Sequence, residues 1–204
     1  MAKKLLGLGD DGKLVLRLPG GKTEKLPEPE RARAFLLIDC SSSMSGSKLT
    51  QAISGALGFA GDALRKNYAV GLVSFASDAE ILCSPEPSLA AIAARAERLT
   101  ASGSTNMSEG IEKAAVDLLK APGVRAMVVV TDGVPDSPEA ALAEARRAKD
   151  AGIDIIAIGT DDADRAFLEK IASRSDLAVK VASAQLESGI AGAARMLPAA
   201  SRTR

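Results

Sequence analysis

From residue 34 onward, short apolar, strand-like runs alternate with stretches whose apolar residues recur every three or four positions. That alternation predicts repeated strand–helix units built on a parallel sheet, whose strands are buried on both faces and so read as unbroken apolar runs. Residues 35–38 (Phe-Leu-Leu-Ile) open the series. A helix is expected over 48–66, with Leu49, Ile53, Leu57, Ala60 and Leu64 at helical spacing. Gly55, Gly58 and Gly61 weaken its intrinsic propensity but allow a neighbour to approach closely. A strand follows over 69–75, then a short edge strand over 80–83 closed by Pro85 and Pro87. A helix is predicted over 88–99, with Leu89, Ile92, Ala96 and Leu99 on one face. Another, capped by Ser108, runs to about residue 120, where Pro122-Gly123 ends it.

The run 126–130 (Ala-Met-Val-Val-Val) is the clearest strand in the chain. Ser137-Pro138-Glu139 supplies an N-cap, a first-turn proline and an early acid, so a helix begins there and should stop at Gly152. A strand over 153–158, a short helix over 164–173, a strand over 177–181 and a helix over 184–196 complete the pattern. Leu186, Ile190, Ala194 and Leu197 stripe that last helix. These elements predict an α/β fold: a doubly wound, Rossmann-like open sheet, mostly parallel with one short antiparallel edge strand, and helices on both faces.

Residues 1–31 read differently. Leu14, Leu16 and Leu18 alternate with Lys13, Val15 and Arg17, and Pro19-Gly20-Gly21 marks a turn before residues 22–26. A small β-hairpin on the main domain, or a mobile tail, fits this pattern, with Pro27-Glu28-Pro29-Glu30 as linker. The expected organisation is an extension over 1–31, the main domain over 32–199 and a tail over 200–204.

Composition narrows the chemistry. The 204 residues are 47% apolar but only 2% aromatic, so the core is lean and aliphatic. Lys plus Arg and Asp plus Glu number 26 each, which leaves no net field to recruit nucleic acid or an anionic membrane. Histidine is absent, which removes serine-triad chemistry, most zinc sites and the commonest general base. Cys40 and Cys83 lie in or beside strands and read as small buried apolar groups rather than a disulfide. The basic start lacks a continuous apolar segment of the signal-peptide kind, and no run approaches about eighteen apolar residues. A cytoplasmic protein without membrane insertion is the expectation.

The informative positions are the polar interruptions after strands. Asp39-Cys40-Ser41-Ser42-Ser43 follows the first strand at once, at the carboxyl edge where open α/β sheets bind ligands. An Asp-x-Ser-x-Ser turn offers oxygen atoms only, which suits a hard cation. Ser102-Gly103-Ser104-Thr105-Asn106 lies between two helices, and Thr131-Asp132-Gly133 follows the strand over 126–130. If those two strands are neighbours, Asp39 and Asp132 lie side by side and the Thr105 loop can reach over them. Taken singly, Ser41 and Ser43 would equally serve as caps for the helix near Lys48 or satisfy a tight turn. Thr105 would serve as an ordinary loop hydroxyl, and Asp132-Gly133 as an ordinary turn. Thr160-Asp161-Asp162-Ala163-Asp164 is acidic but lacks the spacing of a calcium loop, and reads as a solvated loop with a helix cap.

In combination, Asp39-x-Ser41-x-Ser43, then Thr105 in a Gly-Ser-Thr-Asn loop, then Asp132 in Thr-Asp-Gly, resembles the metal-ion-dependent adhesion site of von Willebrand factor A domains. The likeness spans about residues 34–197, and residues 70–76 resemble the second strand of such domains. It implies a magnesium or manganese ion, with Ser41, Ser43 and Thr105 as direct ligands and Asp39 and Asp132 acting largely through water. It also implies a binding module rather than an enzyme, taking an Asp or Glu carboxylate from a partner protein as the sixth ligand. Bacterial members of the class often work with AAA+ ATPases or in multiprotein assemblies, and the closing helix is the element expected to slide when such a site switches.

Two other readings use the same residues. A haloacid-dehalogenase-like hydrolase would employ Asp39 as nucleophile, but it wants a second Asp where this chain has Ser41, with Asp161-Asp162 as a metal-binding pair. A structural module would keep the residues without the metal. Neither the partner nor the oligomeric state is specified by the sequence.

Overall fold

A computed structural model of the chain describes residues 31–200 and, before them, the backbone of three short strands. Those strands, β1 (Leu5–Leu8), β2 (Leu14–Arg17) and β3 (Thr23–Lys25), form an antiparallel sheet in chain order and belong to a unit distinct from residues 31–204. The expected pair of strands is therefore joined by a third over residues 5–8. The turn at 19–21, the linker at 27–30 and the tail beyond residue 200 lie outside the described residues.

The main unit is built on β4 (Ala32–Asp39), β5 (Tyr68–Phe75), β6 (Ala79–Glu86), β7 (Arg125–Thr131), β8 (Ile153–Gly159) and β9 (Ala178–Lys180). Their order across the sheet is β6-β5-β4-β7-β8-β9. All neighbours are parallel except β5 and β6. After β4 the chain winds outward through β5 and β6, then returns to place β7 on the other side of β4. The winding direction thus reverses between β4 and β7, the position at which open sheets leave a crevice at their carboxyl edge. Leu36, Leu37 and Ile38 of β4 and Val128, Val129 and Val130 of β7 are all buried, as strands covered on both faces require.

The helices are α1 (Ser47–Arg65), α2 (Leu89–Ala96), α3 (Met107–Leu118), α4 (Pro138–Asp150), α5 (Arg165–Ile171) and α6 (Leu186–Ala193). α1 packs with α6 and α2, and α3 with α4, which meets α5, giving a helical layer on each face. None of the helices among the described residues is long and apolar enough to cross a membrane.

At four places the structure departs from the sequence pattern. Leu49 and Ala60 of α1 face inward as expected, together with Ala52, Gly55, Ala56, Phe59 and Ala63, whereas Ile53, Leu57 and Leu64 are only partly buried. Small residues win that face because α1 is wedged between the sheet and α6. A β-carbon on Gly55 would stand 2.8 Å from both the Glu187 carbonyl oxygen and Ile190 Cβ. The cap of α3 is Asn106, whose side chain accepts from the Glu109 amide, while the Ser108 hydroxyl donates to Asn106 Oδ1. β6 is longer than expected and carries Pro85 within it, which an edge strand tolerates because one side of its backbone needs no ladder partner. The last helix is not continuous over 184–196: single 3-10 turns, Ser183–Gln185 and Ala194–Met196, flank α6.

Candidate functional site

β4 ends at Asp39 with its neighbours' ladder extended by one further bond, from the Cys40 amide to the Phe75 carbonyl at 2.8 Å. The chain then turns through a 3-10 segment, Ser42–Met44, whose Met44 side chain is fully buried and pins the turn to the core. Gly46 adopts φ +76 and lets the chain swing into α1. α1 is capped by Gly46 without any side-chain acceptor, and Ser41 makes no capping bond either. The helix-cap reading of Ser41 and Ser43 is therefore overturned; their hydroxyls are directed elsewhere.

Those hydroxyls form a chain toward Asp132. Ser41 Oγ and Ser43 Oγ lie 3.0 Å apart, and Ser43 Oγ donates to Asp132 Oδ1 at 2.8 Å. Asp39 is fully buried. Its Oδ1 accepts from the Ser41 amide at 2.8 Å and its Oδ2 from the Thr131 hydroxyl at 2.7 Å. Thr131, the last residue of β7, also accepts from the Gly133 amide at 3.2 Å, so one hydroxyl ties the turn after β7 to the carboxylate after β4. Adjacency of β4 and β7 brings Asp39 and Asp132 to one edge, as the sequence pattern required.

The loop between α2 and α3 is stitched over both. The Ser102 amide donates to the Cys40 carbonyl at 2.8 Å, and the Ser42 amide and hydroxyl both donate to the Gly103 carbonyl at 3.1 Å. Gly103 has φ +74, and a β-carbon there would collide with the Ser77 hydroxyl, so glycine is needed for the loop to lie down. Thr105 is held from the far side: its amide donates to Asp136 Oδ2 at 3.1 Å and its carbonyl accepts from the Asp136 amide at 3.0 Å. Thr105 thus stands on a loop bonded to the turn after β4 and to the turn after β7.

Two buried carboxylates within one crevice set its electrostatics. Burial pushes the Asp39 carboxyl above the ordinary carboxylate range; the bonds from Ser41 and Thr131 oppose this, and the neighbouring Asp132 charge adds to it. Burial likewise pushes the Cys40 thiol up to about 12, and Cys40 and Cys83 are both free, in line with packed thiols. Among the described residues no three His, Cys, Asp or Glu side chains gather at one point. The oxygens that meet here are of another kind, the Asp39 and Asp132 carboxylates with the Ser41, Ser43 and Thr131 hydroxyls, oxygen throughout and suited to a hard cation; Thr105 is brought to this edge through its backbone bonds to Asp136.

Three participants were not evident from the sequence pattern. In the sequence Thr131 reads only as the start of a turn. Lys48, in the first turn of α1, donates to Asp132 Oδ2 at 2.7 Å and to Asp162 Oδ2 at 3.0 Å, and its hydrogen bond to Asp132 chiefly raises its pKa. Asp162 comes from the acidic loop expected to be merely solvated. In that loop Asp164 does cap α5, accepting from the Ala166 and Phe167 amides. Asp161 accepts from the Ser183 amide instead, so Asp161 and Asp162 hold separate partners and do not act as a pair. A lysine nine positions past Asp39 carries no signal of its own; only the placement of β7 and β8 brings it to the crevice.

A family model described as von Willebrand factor type A domain matches residues 35–190. No curated protein matches the chain by sequence. Among solved structures, the chain is similar to the von Willebrand factor domain of the type V pilus tip protein Mfa5 of Porphyromonas gingivalis. The TM-score is 0.77 at 15% identity, over 87% of this chain and 99% of that one. It is similar to a von Willebrand factor type A protein from Catenulispora acidiphila, with a TM-score of 0.69 at 20% identity over 89% of this chain and 44% of that one. It is also similar to proximal thread matrix protein 1 of the mussel byssus, solved with a zinc-occupied adhesion site, with a TM-score of 0.63 at 20% identity. That match covers 80% of this chain and 46% of the mussel protein, so the chain spans less than half the length of these last two.

Proposed function

Because the chain belongs to the von Willebrand factor type A family, whose members are generally protein-interaction and adhesion modules rather than enzymes, we propose that it binds a partner protein through a divalent metal ion at the β4–β7 crevice. Ser41, Ser43 and Thr105 would supply neutral hydroxyl ligands, and Asp39 and Asp132 would supply charge, largely through water. A magnesium or manganese ion held there would offer a Lewis-acidic position to an Asp or Glu side chain of the partner, since neutral hydroxyls leave a dication short of negative charge. One observation carries the reading. Ser41, Ser43 and Asp132 form a continuous oxygen chain across two loops, and the loop carrying Thr105 is bonded to both of these turns through its backbone. The ligand chemistry has a precedent in the mussel protein, whose site of this kind is zinc-occupied.

Asp39 is braced on both oxygens by Ser41 and Thr131, which suits a carboxylate that orients water rather than one that attacks substrate. With Ser41 in place of a second acid and Asp161 turned to Ser183, the hydrolase reading lacks its acid and its metal pair. We further place the module inside the cell, as part of a multiprotein or AAA+ ATPase-associated assembly; this extends the sequence-based expectation.

The test is affinity capture with wild type and Thr105→Ala, each with magnesium and with chelator, alongside calorimetric titration of manganese. A partner held by wild type with metal, and lost with chelator or with Thr105→Ala, is the expected result. Absence of metal binding at millimolar ion, or a partner indifferent to chelator, overturns the proposal.

A further inference from the structure

Lys48 is a misfit on its own helix. It occupies the first turn of α1, where the helix dipole disfavours a cation and favours an anion. Nevertheless its ammonium reaches away from solvent to Asp132, whose side chain is only 1% exposed, at 2.7 Å. The same ammonium lies 3.0 Å from Asp162, whose side chain is 67% exposed. The lysine therefore neutralises one of the two buried carboxylates of the crevice and is itself anchored from outside by a third.

We propose that Lys48 is the resident counter-ion of this crevice: it competes with a divalent ion for Asp132, and Asp162 is the second anchor that draws it off. The inference rests on the metal reading above and adds a determinant of affinity to it. Asp132 Oδ1 already accepts from Ser43 and Oδ2 from Lys48. A cation arriving near Asp132 thus meets a like charge that must be displaced or tolerated. Asp39 is different, because its donors among the described residues, the Ser41 amide and Thr131 hydroxyl, are neutral. One carboxylate is left to attract the ion and the other is held in check. The arrangement keeps the crevice folded without metal, weakens metal binding and leaves the bound ion more electrophilic toward a partner's carboxylate.

The experiment is calorimetric titration of manganese and magnesium into wild type, Lys48→Met, Lys48→Arg, Asp162→Asn and the Lys48→Met/Asp162→Asn double variant. Each is also melted in chelator at low and high salt. Lys48→Met should bind manganese roughly tenfold more tightly, the scale of one unit charge acting on a dication through partly solvated surroundings. The gain should shrink as salt screens it. In chelator Lys48→Met should melt lower, because Asp132 loses its counter-charge, and Lys48→Arg should hold close to wild type in both readouts. Asp162→Asn should weaken binding, and most of that weakening should vanish in the Lys48→Met background. Binding by Lys48→Met alone would support the proposal in its strongest form. Wild-type binding that is unchanged or weakened in Lys48→Met overturns the counter-ion role while leaving the metal reading intact. No binding by either protein overturns the metal reading, and this inference with it.

Discussion

Replacing Asp39 with Asn should make the metal-free protein more stable and the metal-loaded protein less so. Asp39 is fully buried and its carboxyl is pushed above the ordinary range by that burial. Asn preserves the shape and most of the bonding. Its Oδ1 can still accept from the Ser41 amide, now 2.8 Å from Asp39 Oδ1. Its amide can donate to Thr131 Oγ1, whose proton is free to turn to the Gly133 carbonyl 3.3 Å away. What is lost is the charge assistance in two hydrogen bonds, about 1 kcal/mol each. What is gained is relief from holding an ion in a poorly solvated crevice beside Asp132, a cost of several kcal/mol for a buried ion. The net gain is about 1–3 kcal/mol, or roughly 2–10 °C in melting temperature for a domain of this size.

On the proposed metal-binding function, the sign reverses once the ion is bound. An ion present at about a hundred times its dissociation constant stabilises the wild type by roughly 2.7 kcal/mol, and the variant should gain little. Thermal melts of both proteins, in chelator and in millimolar magnesium, should therefore change order. The pH dependence follows the same logic. A raised folded pKa means that folding favours protonated Asp39, so its ionisation destabilises the fold progressively as pH rises above the unfolded carboxylate value of about 3.9. In chelator the advantage of Asp39→Asn should be absent in acid and grow toward neutrality. A variant that melts lower than wild type in chelator at neutral pH, or one that gains as much from magnesium, would refute the reasoning.

Two further outcomes are expected. Gly55→Val should force α1 and α6 apart, because its β-carbon would stand 2.8 Å from Ile190 Cβ and from the Glu187 carbonyl oxygen; a loss of about 1–3 kcal/mol in denaturant unfolding is the expected size. Gly103→Ala should disturb the loop carrying Thr105, through its φ of +74 and its contact with Ser77, and so weaken manganese binding in titration more than it lowers the melting temperature.

Much of this architecture is legible in one dimension because buried parallel strands leave an unmistakable pattern. The runs around 35–38 and 126–130 are apolar on both faces and 153–158 is so apart from Asp154, and each surfaced as a strand within a residue or a few of its expected bounds. The ends of those strands are equally legible, since an abrupt change to Asp39-Cys40-Ser41 or to Thr131-Asp132-Gly133 marks where the chain leaves the sheet. Helix faces were harder to read. Leu49 and Ala60 are buried as their spacing predicts, but Ile53 and Leu57 are only partly so and the rest of the inward face of α1 is Ala52, Ala56 and Phe59, because a helix squeezed between two layers is oriented by volume as well as by hydrophobicity.

The sequence by itself determined the α/β class, the positions of the strands and the oxygen-bearing residues at their ends, since these follow from local patterning and from where a buried strand must stop. Only the tertiary structure decided which turns meet. The order β5-β4-β7-β8 sets Asp132 beside Asp39, carries the Thr105 loop onto the Ser42 turn through the Gly103 carbonyl, and brings Lys48 between Asp132 and Asp162. A lysine in a first helical turn and an aspartate in an acidic loop are unremarkable as letters. They become parts of one site because the strand order sets the turns after β7 and β8 beside the start of α1, close enough for direct ion pairs at 2.7 and 3.0 Å.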